Sequence, residues 1–287
     1  MKYSSANAWE TAAQKRVTLF GMSGLGKTYL SNMLSDNGDW FHYSVDYRIG
    51  THYMNEHIVD NFKREAMQNG FLSKLLKSDS IYIASNITFE NLAPLSTYLG
   101  KPGNPALGGI PFEQYITRQR QHCIAEIAAS KDAVDFAAKA HDIYGYDHFI
   151  CDTSGSICEV VNPDDPKDPV LCALSSATLP VWIEGDETHS QELMQRFQNA
   201  PKPMYYSEDF LQQKWTEYLR AYNIPEVDVN PDDFILWGYR ELLAHRLPLY
   251  KAIAENWGVS VKADEVRAIR DPQDFQTLIA TAIARNS

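Results

Sequence analysis

Residues 17–28 read Val17-Thr18-Leu19-Phe20-Gly21-Met22-Ser23-Gly24-Leu25-Gly26-Lys27-Thr28, and this stretch decides the fold class. A short β-rich run, residues 16–20, ends against Gly21. Lys27 and Thr28 open the segment KTYLSNMLSD, in which Leu30, Met33 and Leu34 share one helical face. Gly21, Gly26, Lys27 and Thr28 satisfy G-x-x-x-x-G-K-[ST] in the context the pattern requires, between a strand and a helix. Glycines let the backbone curl until its N–H groups converge on a β-phosphate, and the helix N-terminus adds partial positive charge. Lys27 is then placed to bridge β- and γ-phosphates, and the Thr28 hydroxyl to coordinate Mg²⁺. Gly21, Ser23, Gly24, Leu25, Gly26, Lys27, Thr28 and Tyr29 are therefore the expected contacts to ATP. A dinucleotide site would need G-x-G-x-x-G and no lysine.

Outward from this loop, strand and helix patterns alternate. WFHYSV is a second β-rich run leading to Asp46, and HIVDNFKREAM places Ile58, Val59, Phe62 and Met67 near one side of a helix. A short strand is expected at Ile81 to Ala84, followed by a Pro/Gly-rich loop around Lys101 to Pro111. Two alanine-rich helices, Phe112 to about Ala129 and Asp132 to about Tyr144, precede YDHFICDTSGS. That β run closes on Asp152, where a carboxylate can bind Mg²⁺ directly or through water; as a strand-end residue it can equally cap the turn with Thr153 and Ser154. PVWIEG at 180–185 is a further apolar run. EDFLQQKWTEYLRAY and DDFILWGYRELLAHRLPLYKAIAENWG read as helices, and Phe275, Leu278, Ile279, Ala282 and Ile283 give a closing amphipathic helix. The expectation is a three-layer α/β P-loop fold with a parallel sheet of about five strands. It is read as one domain over 1–287, with an insertion at about 70–145 and a lid and helical elaboration at about 186–245.

Composition narrows the ligand class. A formal net charge of -11 opposes nucleic acid and anionic membrane surfaces, so an anionic ligand has to be captured by a local cluster of positive groups. No apolar run reaches membrane-spanning length and the first residues lack a cleavable apolar leader, so a cytoplasmic protein is expected. Cys123, Cys151, Cys158 and Cys172 form no C-x-x-C pair. They are expected to be buried thiols rather than a disulfide framework or a zinc site with His122 or His148.

The order of these motifs resembles the shikimate-kinase-like branch of the P-loop kinases, distantly and in pieces that cover much of the chain. The resemblance implies that Asp46, in SVDYRIG, touches Mg²⁺-bound water and the acceptor, with Arg48 beside it; relatives usually carry two aspartates there. It implies that DTSGS, with Gly155, stands where relatives carry a glycine triplet against the acceptor. HRLPLYKAIAENWG supplies Arg246 in an arginine-leucine-proline-leucine-tyrosine run, the counterpart of an arginine that holds the acceptor's anionic group. Arg196 or Lys202 takes the place of a lid arginine over the phosphates, and Pro201-Lys202-Pro203 that of a hinged cover. Arg64, in NFKREAM, corresponds to an arginine that binds substrate carboxylate, with Arg118 or Arg120 as substitutes. The chain departs from relatives in its surplus length at 70–145 and around 205–240.

Two functions follow as expectations. One is a kinase moving the γ-phosphoryl of ATP to a hydroxyl of a small anionic metabolite, with Lys27, Asp46 and Arg246 as its catalytic groups. The other is a P-loop ATPase or nucleotide-controlled switch acting on a protein partner, for which PMYYSEDF and FILWGY could supply surfaces. Adenine rather than guanine is implied mainly by the resemblance, and no N-K-x-D motif for guanine is present.

Overall fold

In the computed structural model, which describes residues 3–37 and 39–286, the chain forms two compact units. The first comprises Met1–Val45, Glu126–Ala200 and Leu236–Ser287; the second comprises Asp46–Ala125 and Pro201–Ile235. In chain order the elements are α1 (Ala6–Glu10), β1 (Arg16–Phe20), α2 (Lys27–Asp36), β2 (Trp40–Ser44), α3 (Val45–Arg48), α4 (Asn55–Gln68), α5 (Gly70–Lys77), α6 (Ala93–Leu99) and α7 (Phe112–Asp142). There follow β3 (His148–Asp152), α8 (Pro169–Ala177), β4 (Leu179–Glu184), α9 (Glu187–Asn199), α10 (Glu208–Tyr222), α11 (Pro231–Trp257), β5 (Val259–Lys262), α12 (Ala263–Arg267) and α13 (Pro272–Arg285).

The first unit is built on one five-stranded sheet in the order β2-β3-β1-β4-β5, and every pairing in it is parallel. Parallel strands flanked by helices are buried on both faces, which is why β1, β3 and β4 read as continuous apolar runs rather than alternating ones. The α/β fold with about five parallel strands expected from the sequence is present. Its central strand, β1, pairs with β3 on one side and β4 on the other. The chain therefore switches sides at β1, and in such sheets ligands gather beyond the carboxyl ends of the strands at that point. Leu19 lies opposite Asp152 in the register and Ser44 opposite the same residue, which brings the ends of β1, β2 and β3 together.

The second unit is helical. Tyr205, Tyr206, Phe210, Phe234 and Ile235 are buried within it, and Tyr239 is buried in the first unit. PMYYSEDF and FILWGY are therefore core segments and not the partner surfaces they could have been. Phe112 stacks on Trp215 with ring centroids 4.5 Å apart, and Trp215 meets Phe234 edge-on at 4.8 Å.

Three local expectations are corrected. Ile81 to Ala84 forms no strand: alternation of Ile and Tyr imitates one, but no partner strand receives it and Tyr82 is 88% exposed. The two helices expected between Phe112 and Tyr144 are one helix, α7, because nothing between Ala129 and Asp132 breaks an alanine-rich ladder. The fifth strand is Val259–Lys262, a run of four residues too short to stand out by pattern. No helix among the described residues is long and apolar enough to cross a membrane.

The turn from β1 into α2 depends on glycine. Gly21 has φ +135°, and a Cβ there would lie 2.7 Å from the Ile183 carbonyl oxygen, a backbone atom that cannot swing aside. Gly21→Ala is expected to destabilise the protein by roughly 2–4 kcal/mol, combining backbone strain and steric overlap. Urea unfolding of the two proteins checks this; equal midpoints would contradict it.

Candidate functional site

Residues 21–28 leave the end of β1 and curl into the first turn of α2. Gly21, Gly24 and Gly26 all have positive φ, at 135°, 91° and 97°, so the turn uses a conformation that other residues adopt only with strain. Gly26 is the N-cap of α2, and an added Cβ there would meet only Val266 Cγ1, at 4.0 Å. The Lys27 side chain folds back over the loop, buried, with Nζ donating to the carbonyls of Gly21 at 2.9 Å and Met22 at 3.2 Å. The Thr28 hydroxyl donates to Asp152 Oδ2 at 2.6 Å. The strand-end carboxylate and the loop hydroxyl, 124 positions apart in the chain, therefore meet.

Asp152 is almost fully buried. Burial pushes its carboxyl above the usual range, while the Lys27 ammonium and the Thr28 hydroxyl pull it back down. His42, on the neighbouring strand β2, places Nε2 3.9 Å from Asp152 Oδ2. Sequence reasoning did not single out His42; the available signal was that Trp40, His42 and Ser44 alternate on one face of β2. Burial lowers its pKa to about 4, so at neutral pH the ring is uncharged.

This has a consequence for acid stability. An unfolded histidine takes up a proton near pH 6.5, whereas His42 in the folded chain stays neutral down to about pH 4. Its contribution is intact above pH 6.5 and is lost as pH falls from 6.5 to 4, by about 3 kcal/mol in all. Asp152, shifted upward, acts in the opposite sense and loses its contribution as pH rises through its folded value. In metal-free protein, His42→Gln is expected to flatten the fall of unfolding free energy between pH 7 and 4; an unaltered slope would contradict this.

Beyond β3, the loop Thr153–Glu159 carries a further set of polar groups. Thr153 Oγ1 donates to the Leu19 carbonyl at 2.9 Å. The Ser154 and Ser156 hydroxyls both donate to Glu126 on α7, the second at 2.7 Å. Gly155 packs directly against the loop of residues 21–28, for a Cβ there would sit within 3.1 Å of Ser23 N. Its carbonyl accepts from Arg246 Nη1 at 2.8 Å and from the Tyr250 hydroxyl. Arg246 and Tyr250 stand one helical turn apart on α11 and so share a face. Arg246 is only 1% exposed, and its Nε donates at 2.9 Å to Glu159, whose side chain has no exposed surface. The arginine expected to meet an acceptor anion thus has its charge matched inside the protein.

The other expected cations lie as follows. Arg196, on α9, is exposed, pairs with Glu192 at 3.7 Å, and brings Nη1 within 3.9 Å of the position a Cβ on Gly24 would take. Asp46, Arg48, Arg64 and Lys202 belong to the second unit. There Asp46 and Arg48 stand on α3, with the Arg48 guanidinium 5.6 Å from the centre of the Tyr53 ring. Arg64 is exposed on α4. Lys202 lines a cavity of about 750 Å³ together with Lys101, Asp232 and Pro203. Of the substitutes, Arg118 is buried, donating to the Tyr98 carbonyl and to Asn61 Oδ1 at 3.0 Å, and Arg120 pairs with Glu208 at 2.6 Å. The four cysteines are free thiols, and among the described residues no group of three or more His, Cys, Asp or Glu side chains could hold a metal ion. A cation at Thr28 and Asp152 would therefore draw on one carboxylate and one hydroxyl, a sparse set of oxygen donors that suits Mg²⁺ completed by phosphate and water.

No protein-family model matches the chain, and no curated protein does. Among solved structures, shikimate kinase from Bacteroides thetaiotaomicron aligns over 94% of this chain and 95% of its own, at 12% identity and a TM-score of 0.38. Neither substrate nor reaction is carried across at that level of similarity.

Proposed function

We propose that residues 21–28 bind the phosphates of ATP and that the protein transfers the γ-phosphoryl group to a hydroxyl of a small anionic metabolite. The observation that carries the nucleotide reading is the convergence at one strand end of three positive-φ glycines, a buried lysine ammonium and the Thr28–Asp152 pair. In this reading the Lys27 ammonium exchanges the Gly21 and Met22 carbonyls for phosphate oxygens, a short movement of a group already desolvated. Thr28 Oγ1 and Asp152 would hold Mg²⁺, whose charge when bound offsets the charge that develops on the transferring group.

Arg196, beside Gly24, is the first candidate to cover the phosphates, and Lys202 between two prolines the second. A cover of this kind matters because water competes with any alcohol as acceptor. Asp46 is assigned to orienting or deprotonating the acceptor hydroxyl, and Arg48 and Arg64 to holding its anionic group. Arg246 is assigned to fixing the loop after β3, in keeping with its burial against Glu159 and the Gly155 carbonyl.

Incubation with γ-labelled ATP and a metabolite extract tests the reading. Label in an organic product is the expected result. Label only in inorganic phosphate would favour hydrolysis coupled to a partner, and no release of label from ATP would contradict both.

A further inference from the structure

Glu126 is 0% exposed, and both of its carboxylate oxygens face the loop that follows β3. Oε2 accepts the Ser156 hydroxyl at 2.7 Å, Oε1 accepts the Ser154 hydroxyl, and the two hydroxyls lie 3.0 Å apart. The residue between those serines is Gly155, the one that abuts Ser23 of the phosphate loop. On the carbonyl side of Gly155, Arg246 and Tyr250 hold the same oxygen, and Arg246 is itself anchored by Glu159. Gly155 is thus gripped from α7 through its neighbours and from α11 through its own carbonyl.

Burying a carboxylate is costly, and two hydroxyls could be satisfied more cheaply by backbone carbonyls or water. A buried carboxylate that accepts from both serines points to what those serines hold. What they hold is the position of Gly155 against the loop that carries Lys27.

We infer that Glu126 is a positioning residue for nucleotide binding: by tying Ser154 and Ser156, it keeps Gly155 seated on Ser23 and presets the phosphate loop. The inference rests on the nucleotide reading above. Without Glu126 the 154–156 segment has more freedom, and the nucleotide must re-order it on binding. Because the group acts through the loop, its removal weakens affinity as well as stability.

The test measures, for each variant, the dissociation constant of a fluorescent ATP analogue and, separately, the unfolding midpoint in urea. Glu126→Ala is expected to weaken binding about tenfold, the loss for ordering one or two residues. Glu126→Gln still offers one hydroxyl an acceptor and the other a donor, so its affinity should stay within about threefold of the parent protein. The triple variant Glu126→Ala, Ser154→Ala, Ser156→Ala should bind within about threefold of Glu126→Ala alone, because the contacts to Glu126 are already gone and only the hydrogen bonds between the serines are lost in addition. If Glu126→Ala does not fold, Ser156→Ala carries the test, with about threefold weaker binding expected.

Lower stability with unchanged affinity would overturn the inference, as would equal losses in the Gln and Ala variants. Unchanged affinity of Ser156→Ala, where that variant is needed, would overturn it too. No saturation of the parent protein at millimolar ATP would sink the nucleotide reading and this inference with it. Normal saturation of the parent, matched by Glu126→Ala, would sink the inference alone.

Discussion

Lys27→Ala is expected to lower ATP turnover by on the order of 10³-fold and to weaken nucleotide binding markedly. The ammonium is already buried, and it donates to two loop carbonyls. Its removal has a second effect on the same site. Lys27 is the main influence holding the buried Asp152 carboxyl down against burial, so without it the carboxyl becomes harder to ionise. The variant should therefore also need more Mg²⁺, and more so at lower pH. Steady-state ATP consumption at several Mg²⁺ concentrations measures both effects; turnover and Mg²⁺ dependence equal to the parent protein's would contradict the assignment.

Arg246→Met is expected to destabilise the fold by about 3–5 kcal/mol, the cost of leaving a buried partner uncompensated. Glu159 has no exposed side-chain surface and pairs with Arg246 Nε at 2.9 Å. The Gly155 carbonyl would keep only the Tyr250 hydroxyl of its two donors. His245 Nε2 also lies 3.5 Å from Glu159 Oε2. Replacing Glu159 by Gln in the same chain should recover much of the stability, because the unpaired charge goes with it. Calorimetry checks this: a melting temperature within a degree or two of the parent protein would contradict the buried pairing.

Residues differ in how much of their role the sequence exposes, and the difference tracks the range of the interactions involved. The phosphate loop is legible because its chemistry is local: eight consecutive residues between a strand and a helix contain the glycines, the ammonium and the hydroxyl. Asp152 is legible because it closes an apolar run, and strand ends in parallel sheets are where ligands meet the fold. Glu126 is not legible. Its serine partners lie 28 and 30 positions away, and nothing along α7 distinguishes it from a solvated glutamate. Arg246 stands out in its run with Pro248 and Tyr250, yet its task depends on Glu159, 87 positions earlier, whose burial no pattern discloses. The misread strand at Ile81 to Ala84 has the same cause in reverse. A correct local alternation counts for nothing without an edge to pair with.

The central claim is that the backbone and ammonium of residues 21–28 close around a polyphosphate. The most direct measurement is an amide-resolved NMR titration of isotope-labelled protein with ATP and Mg²⁺, with inorganic phosphate as the control. The account predicts saturable shifts concentrated in the amides of Ser23 to Thr28 and, through the Ser23 contact, in Gly155. Saturation by ATP that leaves those amides unmoved, or no saturation by ATP at all, would contradict it.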